Sequence, residues 1–331
     1  MIVTGLQPSG SIHIGNYLGA LQPLVALQRP AVGCAAFIAD YHAITAGHDP
    51  AELRENSLRL AAMMIASGYD PDKHILFRQS AVSAHTELCW ILSCTAARVG
   101  WLNRMIQFKE KTEALGENSE GPSVGLYAYP ILQAADILIY QADEVPVGED
   151  QSQHLNLTID IAQKFNREFG QLFTVPKAII SPAKRIMSLT DPTKKMSKSD
   201  PNEDSRINLD DSADVIRNKI KRATSDSALI PGNVAGLLDR PGLTNLLTIY
   251  AAFTETSVGD VLNLFVGKGY GVLKPALADV VVEELRPVQR AYRDLMGHQD
   301  HLEGFLTRGA TRAASVADAT LHAVRRAIGV E

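Results

Sequence analysis

The side chains best suited to chemistry fall in a few short stretches. The first is Gln7-Pro8-Ser9-Gly10-Ser11-Ile12-His13-Ile14-Gly15-Asn16, where a short apolar run turns into a helical pattern. Backbone N–H groups and the helix dipole at such a turn attract anions, so a triphosphate is a natural occupant. Gly15 leaves room for a flat base or ribose, and His13 can donate to a phosphate oxygen without carrying a full charge. The second stretch is Lys194-Lys195-Met196-Ser197-Lys198-Ser199. Lys195 and Lys198 are long, flexible cations that can follow a phosphate whose charge is moving. Placed at a departing pyrophosphate, such cations stabilise the transition state. Taken alone, this pair reads more readily as a solvated basic loop, and the first stretch as an ordinary glycine-rich turn. The third is Asp136, a carboxylate inside the apolar run Ala134-Ala135-Asp136-Ile137-Leu138. A carboxylate there needs a partner. That partner is a ligand N–H, its own backbone or a basic side chain. The fourth is Gly148-Glu149-Asp150, which either caps a helix or meets a ribose and base.

The elements that must hold these residues alternate over the first ~180 positions. Ile2 to Leu6, Cys34 to Ala39, His74 to Phe77 and Glu144 to Val147 read as strands. Helices are expected from Gly15 to Gln28, from Pro50 behind an Asp49 cap to a stop at Gly68, and from Glu149 to about Phe169. Strand and helix in alternation argue for a parallel sheet covered on both faces. Its carboxyl edge is where open α/β proteins bind ligands, and the turn at Gly148 belongs there. Lys111 to Ser123 and Thr190 to Ser205 read as exposed, mobile loops. Beyond about residue 206 the pattern is helix after helix. Leu277, Val281, Leu285, Val288, Tyr292 and Leu295 form one stripe, with Pro287 expected to kink it. Val316, Ala319, Ala323 and Ala327 mark the face of the last helix.

Composition excludes several classes. The 331 residues are 46% hydrophobic, without a run approaching the ~18 to 20 apolar residues of a membrane span. The first residues carry no basic leader, so the expected location is the cytoplasm, with no membrane partner. Three cysteines, Cys34, Cys89 and Cys94, lack C-x-x-C spacing, which argues against a disulfide frame or zinc. The net charge of −5 does not favour nucleic acid, though a local basic face suffices for it. Arg217, Lys219, Lys221 and Arg222, the pair Arg308 and Arg312, and Arg325-Arg326 are candidates for such a face.

Together, H-I-G-N at His13 to Asn16 and K-M-S-K-S at Lys195 to Ser199 resemble the paired signatures of class I aminoacyl-tRNA synthetases. The family's first motif usually ends in His, and Asn16 in that place is a variant common in the tryptophanyl branch. Tyr129 to Tyr140 is similar to the tryptophan-reading segment of the bacterial members of that branch. Val145 to Gln151 is similar to their ribose- and adenine-binding turn. Asp40 to Thr45, Gln107 to Lys111 and Gly267 to Gly271 also match family segments. Val3 and Gln133 depart from the larger aromatic and the Met common at these places, which bears on how the indole pocket is packed.

The resemblance implies an α/β fold, a Rossmann-like doubly wound parallel sheet with a C-terminal all-helical domain. Residues 1–185 would be the catalytic domain, 186–206 the lysine-bearing loop, and 207–331 a helical anticodon-binding domain whose last helix packs back on the catalytic domain. It implies ATP-driven activation of L-tryptophan and its transfer to tRNA(Trp) by a homodimer. Lys195, Lys198 and His13 would be catalytic. Gln7, Pro8, Ser9, Gly15, Asn16, Gly148, Glu149, Asp150, Ile186, Met196, Ser197 and Ser199 would join the two lysines around ATP. Asp136, Tyr129, Gln151 and His42 would hold tryptophan, and Lys109 and Lys111 would meet pyrophosphate. Mg²⁺ is expected with ATP. No zinc is expected, and no iron–sulfur cluster, since no cysteine follows Cys94. The chemistry of Asp136 agrees with this reading. An indole N–H donates and cannot accept, so its reader must be an acceptor. The alternatives are a tyrosyl-tRNA synthetase and a catalytically silent paralogue that binds RNA or protein.

Overall fold

The strands are short apolar runs whose side chains alternate between two hydrophobic layers. Ile2, Cys34, Ala36, Ile38 and Leu76 enter one layer, while Val3, Ala35, Phe37, Ile75 and Phe77 enter the other. That period of two is the pleat itself, and burial on both sides is what a parallel sheet requires. The structure is a computed structural model that describes residues 1–28, 33–105, 121–147, 152–180 and 185–331.

The sheet is parallel, in the order β3-β2-β1-β4-β5, built from β1 (Ile2–Leu6), β2 (Cys34–Ile38), β3 (Ile75–Arg78), β4 (Glu144–Val147) and β5 (Lys177–Ile180). β1 and β2 run in register over five residues, whereas β1 and β4 share only Ile2↔Glu144. The strand order reverses direction at β1, so the chain leaving β1 and the chain leaving β4 flank the switch-point crevice. β5 was not foreseen; Val175-Pro176 ahead of it reads as a loop.

The first helix is one path in three pieces: α1 (Ile14–Asn16), a widened π turn (Tyr17–Leu21) and α2 (Gln22–Ala26). A plain α-helix was expected over this stretch. Pro23 has no N–H to continue the ladder, and just before it Gln22 N–H reaches back five residues to the Tyr17 carbonyl. After β2 come α3 (Asp40–Ala43) and α4 (Pro50–Ala66), which starts where expected because Asp49 Oδ1 accepts from the N–H groups of Ala51 and Glu52 at 2.8 and 2.9 Å. α5 (Ala84–Thr95), α6 (Val99–Leu102) and α7 (Val124–Leu138) follow β3, and α8 (Ser152–Phe169) follows β4.

From Ala213 onward the described elements of regular structure are helical: α9 (Ala213–Arg222), α10 (Pro241–Phe253), α11 (Val258–Phe265), α12 (Tyr270–Gly297) and α13 (Gln299–Ile328). α12 takes up Pro275 and Pro287 within a single element, and Leu277, Val281, Leu285 and Val288 form its buried stripe. These helices share the layer that holds Ile2 and Leu76, so one core joins them to the sheet.

α13 crosses the β3 edge of the sheet. Its Leu302 and Leu306 enter one layer, and Ala313, Ala317, Leu321 and Val324 enter the other. Gly309 marks the crossing: a Cβ there would stand 1.8 Å from the Leu76 carbonyl oxygen. The helix thereby covers an edge strand that would otherwise offer bare backbone. Two carboxylate–guanidinium forks hold it down, Arg78 on Glu303 (2.6 and 2.7 Å) and Arg325 on Glu87 (2.7 Å each). Arg312 adds bonds to the carbonyls of Lys73 and His74 at 3.1 and 3.2 Å. The expected face of this helix is one residue out of phase. Val316 and Ala319 are exposed, and Ala313, Ala317, Thr320 and Val324 are buried. Alanines on every side leave no hydrophobic contrast, and the backbone contact at Gly309 decides the phase.

Gly309→Ala should therefore be costly although alanine is the better helix former. With backbone rather than a side chain in the way, we expect a loss of at least about 2 kcal/mol, within the ~1–3 kcal/mol typical of overpacking. Urea denaturation checks this; an unchanged midpoint would show that the helix can slide.

Candidate functional site

Two clusters form at the carboxyl ends of the strands. The first lies past β1. His13 caps the helix that follows: Asn16 N–H donates to His13 Nδ1 and His13 N–H donates to Asn16 Oδ1, both at 3.3 Å. His13 and Asn16 therefore hold each other. A Cβ at Gly15 would stand 2.9 Å from His13 Nδ1, so glycine is what lets the His13 ring fold over this turn, while Met196 Cβ at 3.6 Å from the same point is in ordinary contact.

That loop is less exposed than its polar composition suggests. Ile186 and Met196 are both 2% exposed, and Met196 N–H donates to the Ile186 carbonyl at 3.0 Å. Met187 and Lys195 form an antiparallel bridge. The buried Met196 side chain anchors the loop, and Lys195, Ser197 and Ser199 face solvent. Lys198 donates to the Ser9 carbonyl at 2.7 Å and to the Ser9 hydroxyl. Two segments 189 residues apart thus meet at one point.

A third segment joins them. Ile14 N–H donates to the Ile207 carbonyl (2.9 Å), Leu209 N–H donates to the Ile12 carbonyl (2.8 Å), and His13 bridges Asn208. Arg206 is buried and donates to the Asp200 carbonyl at 2.8 Å and to Glu203. Among the described residues, four buried side-chain polar atoms lack a hydrogen-bond partner; three are Ser205 Oγ, Arg206 Nε and Asn208 Oδ1. Sequence reasoning missed this segment. The alternation Arg206-Ile207-Asn208-Leu209 was the available signal.

The electrostatics follow from burial and charge. His13 is 3% exposed. Burial, then the charges of Arg206, Lys198 and Lys195, lower its pKa from 6.5 to about 4. Three cations converging on one neutral imidazole make this turn attractive to a polyanion. Gln7, Pro8 and Ser9 lie on the same turn. Gly148, Glu149, Asp150 and Gln151 lie outside the described residues, as do Lys109 and Lys111.

The second cluster surrounds Asp136 on α7, which is 1% exposed. His42, from α3 after β2, meets Oδ2 through Nε2 at 2.7 Å. Gln79, from the turn after β3, donates through Nε2 to Oδ1 at 2.7 Å. His85 on α5 meets Oδ1 through Nδ1 at 2.7 Å, and its Nε2 meets the Tyr140 hydroxyl, also at 2.7 Å. Burial alone would push the Asp136 carboxyl up; bonds from His42 and His85 outweigh it and hold the pKa at about 2. Burial, then the Asp136 charge, pushes the Tyr140 hydroxyl up, so it stays a donor. Tyr129 stands edge-on to the His42 ring at 6.1 Å, and its hydroxyl meets His154 Nε2 at 2.9 Å. His42, Tyr129 and Asp136 are thus brought together. Gln79, His85 and His154 were missed, since nothing local in the sequence ties them to Asp136, whereas Tyr140 lies in the stretch from Tyr129 already singled out.

The basic clusters are partly committed elsewhere. Lys219 is buried against Asp211 at 2.7 Å, and Arg217 and Arg222 pair with Asp279 and Asp204 at 3.1 and 3.0 Å. With Arg312 and Arg325 holding the last helix, exposed Lys221 and Arg326 remain among the cations toward solvent.

Comparison with known proteins gives the family. The family model described as tRNA synthetases class I (W and Y) matches residues 1–286. A tryptophan–tRNA ligase of Caulobacter vibrioides is 50% identical, over 99% of this chain and 95% of its own length. A tryptophan–tRNA ligase of Caldanaerobacter subterraneus is 49% identical, over 99% and 98%. A crystal structure of tryptophanyl-tRNA synthetase from Mycoplasma pneumoniae superposes with a TM-score of 0.88 at 36% identity, over 100% of this chain and 97% of that one. The Campylobacter jejuni enzyme complexed with ADP and tryptophan gives 0.84 at 34%, over 99% of each.

The state of His13 can be measured directly. NMR titration should find its imidazole neutral down to about pH 4, well below the ordinary 6.5. Arg206→Met should bring the midpoint up. The unfolded chain binds this proton near 6.5 and the folded chain only near 4, so this group costs stability as pH falls through that window. A midpoint near 6.5 would refute both its burial and its cationic surroundings.

Proposed function

The chain belongs to the class I tRNA synthetases of the W and Y type, and from that membership we propose the roles of its residues. Its activity is ATP-dependent tryptophan–tRNA ligation. The tryptophan carboxylate attacks the α-phosphorus of ATP, pyrophosphate leaves, and a ribose hydroxyl at the tRNA 3′ end then takes the acyl group. No covalent enzyme intermediate is needed, so positioning and charge stabilisation supply the rate.

Gln7, Pro8, Ser9, His13, Gly15 and Asn16 form the nucleotide side of the site, with Gly148, Glu149 and Asp150 completing it. Ile186 and Met196 anchor the loop. Lys195 and Lys198 take the β- and γ-phosphates, Lys198 by leaving Ser9, with Ser197 and Ser199 alongside and Lys109 and Lys111 as further cations. Mg²⁺ enters as counter-ion of the triphosphate, held by phosphate oxygens and water, as that ion prefers. No group of three His, Cys, Asp or Glu is placed to hold a metal among the described residues.

The amino-acid assignment to particular residues rests on Asp136. A carboxylate has about four acceptor positions. Three donors already meet Asp136, two on Oδ1 and one on Oδ2. One position is left, and an indole brings one N–H donor and no acceptor. Tyr129, His42 and Gln151 surround the same ligand.

The helices of residues 207–331 serve as the anticodon-binding domain, with Lys221 and Arg326 as candidate phosphate contacts. A homodimer is proposed from the family membership. Among the described residues no helix is long and apolar enough to cross a membrane, in keeping with a cytoplasmic location.

Tryptophan-dependent exchange of pyrophosphate into ATP tests the reading; activity with tyrosine and none with tryptophan would sink it. Lys195→Ala should slow adenylate formation about 10²- to 10³-fold, and an unchanged single-turnover rate would remove Lys195 from the transition state. Asp136→Ala should raise KM for tryptophan roughly ten- to a hundredfold with KM for ATP unchanged. Equal loss of both would point to misfolding instead.

A further inference from the structure

Gln79 is fully buried at the carboxyl end of β3, and its two amide atoms fare differently. Nε2 donates to Asp136 Oδ1 at 2.7 Å, while Oε1 has no hydrogen-bond partner among the described residues. The amide cannot be turned over, since Oε1 would then face Asp136 Oδ1, acceptor against acceptor. A stranded buried acceptor costs stability, and an apolar residue of the same shape would remove that cost. It would also remove the bond from Nε2 to a buried carboxylate, so the amide's orientation is set by Asp136 at the expense of its own acceptor. The backbone is pinned as well: the next residue, Ser80, donates its N–H to Asp40 Oδ1 at 3.0 Å and its hydroxyl to Asp40 Oδ2.

We propose that Gln79 is a specificity-positioning residue: together with His85 it fills Asp136 Oδ1 and confines the open acceptor to Oδ2, so the pocket reads one N–H at one point. This rests on the reading that Asp136 accepts the indole N–H. The two oxygens are treated unequally. Oδ1 receives Gln79 Nε2 and His85 Nδ1, both at 2.7 Å, and Oδ2 receives only His42 Nε2. The ring of His85 is itself held by the Tyr140 hydroxyl and stands 5.7 to 5.8 Å from the rings of Phe37 and Phe77. With Gln79 gone, Oδ1 regains an acceptor position and the carboxylate has two orientations for presenting one. A ligand N–H then no longer meets a single fixed partner, and the advantage of carrying that N–H shrinks.

The test compares tryptophan with its benzothiophene analogue, in which sulfur replaces the N–H, in amino-acid-dependent pyrophosphate exchange. The unmodified enzyme should prefer tryptophan strongly in kcat/KM. Gln79→Met should reduce that preference about tenfold or more, through KM for tryptophan and with kcat nearly unchanged, while Tm falls only modestly, the loss of one donor to Asp136 being partly offset by relief of the stranded Oε1. Gln79→Leu serves as the second variant if the Met form folds poorly. An unchanged preference in a folded variant would overturn the role of Gln79. Absence of any preference in the unmodified enzyme would instead overturn the reading of Asp136, and this inference with it.

Discussion

A carboxylate taken wholly out of water must be met by donors, and most of the amino-acid side of this site follows from that requirement at Asp136. Burial works against the charge, and the bonds from His42 and His85 more than offset it. Those donors come from separate elements. His42 rides on the helix after β2, Gln79 on the turn after β3, His85 on α5, and Asp136 itself on α7. Satisfying one charge therefore fixes the relative placement of four elements. The Asp40 contacts to Ser80 tie two of these elements again, one residue from Gln79.

The nucleotide side follows a different rule. There a buried cation, Arg206, is held by Glu203 and the Asp200 carbonyl, and with two lysines it converges on a neutral group. Arg206, Lys198 and Lys195 all act on His13, which burial has already made reluctant to take a proton. An imidazolium among them would be a fourth positive charge. Kept neutral, His13 leaves the field to cations that can move with the phosphates, and its Nδ1 stays occupied with the helix cap. The loop that carries the lysines combines a fixed and a free part. Met196 is buried over Gly15, while Lys195 faces solvent on the neighbouring residue. Anchoring the backbone beside a flexible cation limits how far the charge must search.

Much of this was legible in sequence where local pattern and local chemistry coincide. Strand β1, the Asp49 cap and the stripe on α12 are read from spacing that the fold does not override. Asp136 stands out because a carboxylate in an apolar run is costly without a partner, and the two signature motifs stand out by occurring together. What could not be read is what only the topology brings together. Gln79 and His85 reach Asp136 across 57 and 51 residues, and no short window links them. The phase of α13 was lost for the opposite reason: its alanines gave too little contrast, and a glycine set against the Leu76 backbone decides the matter. The π turn at Tyr17 to Leu21 had a signal in Pro23, but only the hydrogen bonds show how the helix absorbs it.

The two clusters sit past the carboxyl ends of different strands, and that separation carries a mechanistic consequence. The nucleotide turn follows β1 at the switch point, whereas His42 and Gln79 follow β2 and β3. A ligand bridging them must have its recognised end among the donors of Asp136 and its reacting end toward the phosphates. Tryptophan fits this with its indole and its carboxylate at opposite ends. In the proposed reading, selection and reaction occur on separate atoms of one molecule. The N–H contact can be strong without touching the reacting centre, and what it contributes to the rate is orientation, the entropy of alignment already lost on binding. A parallel sheet suits this because its carboxyl ends all point to one side. Clusters built on β1, β2 and β3 therefore face a common space however far apart their residues lie in the chain.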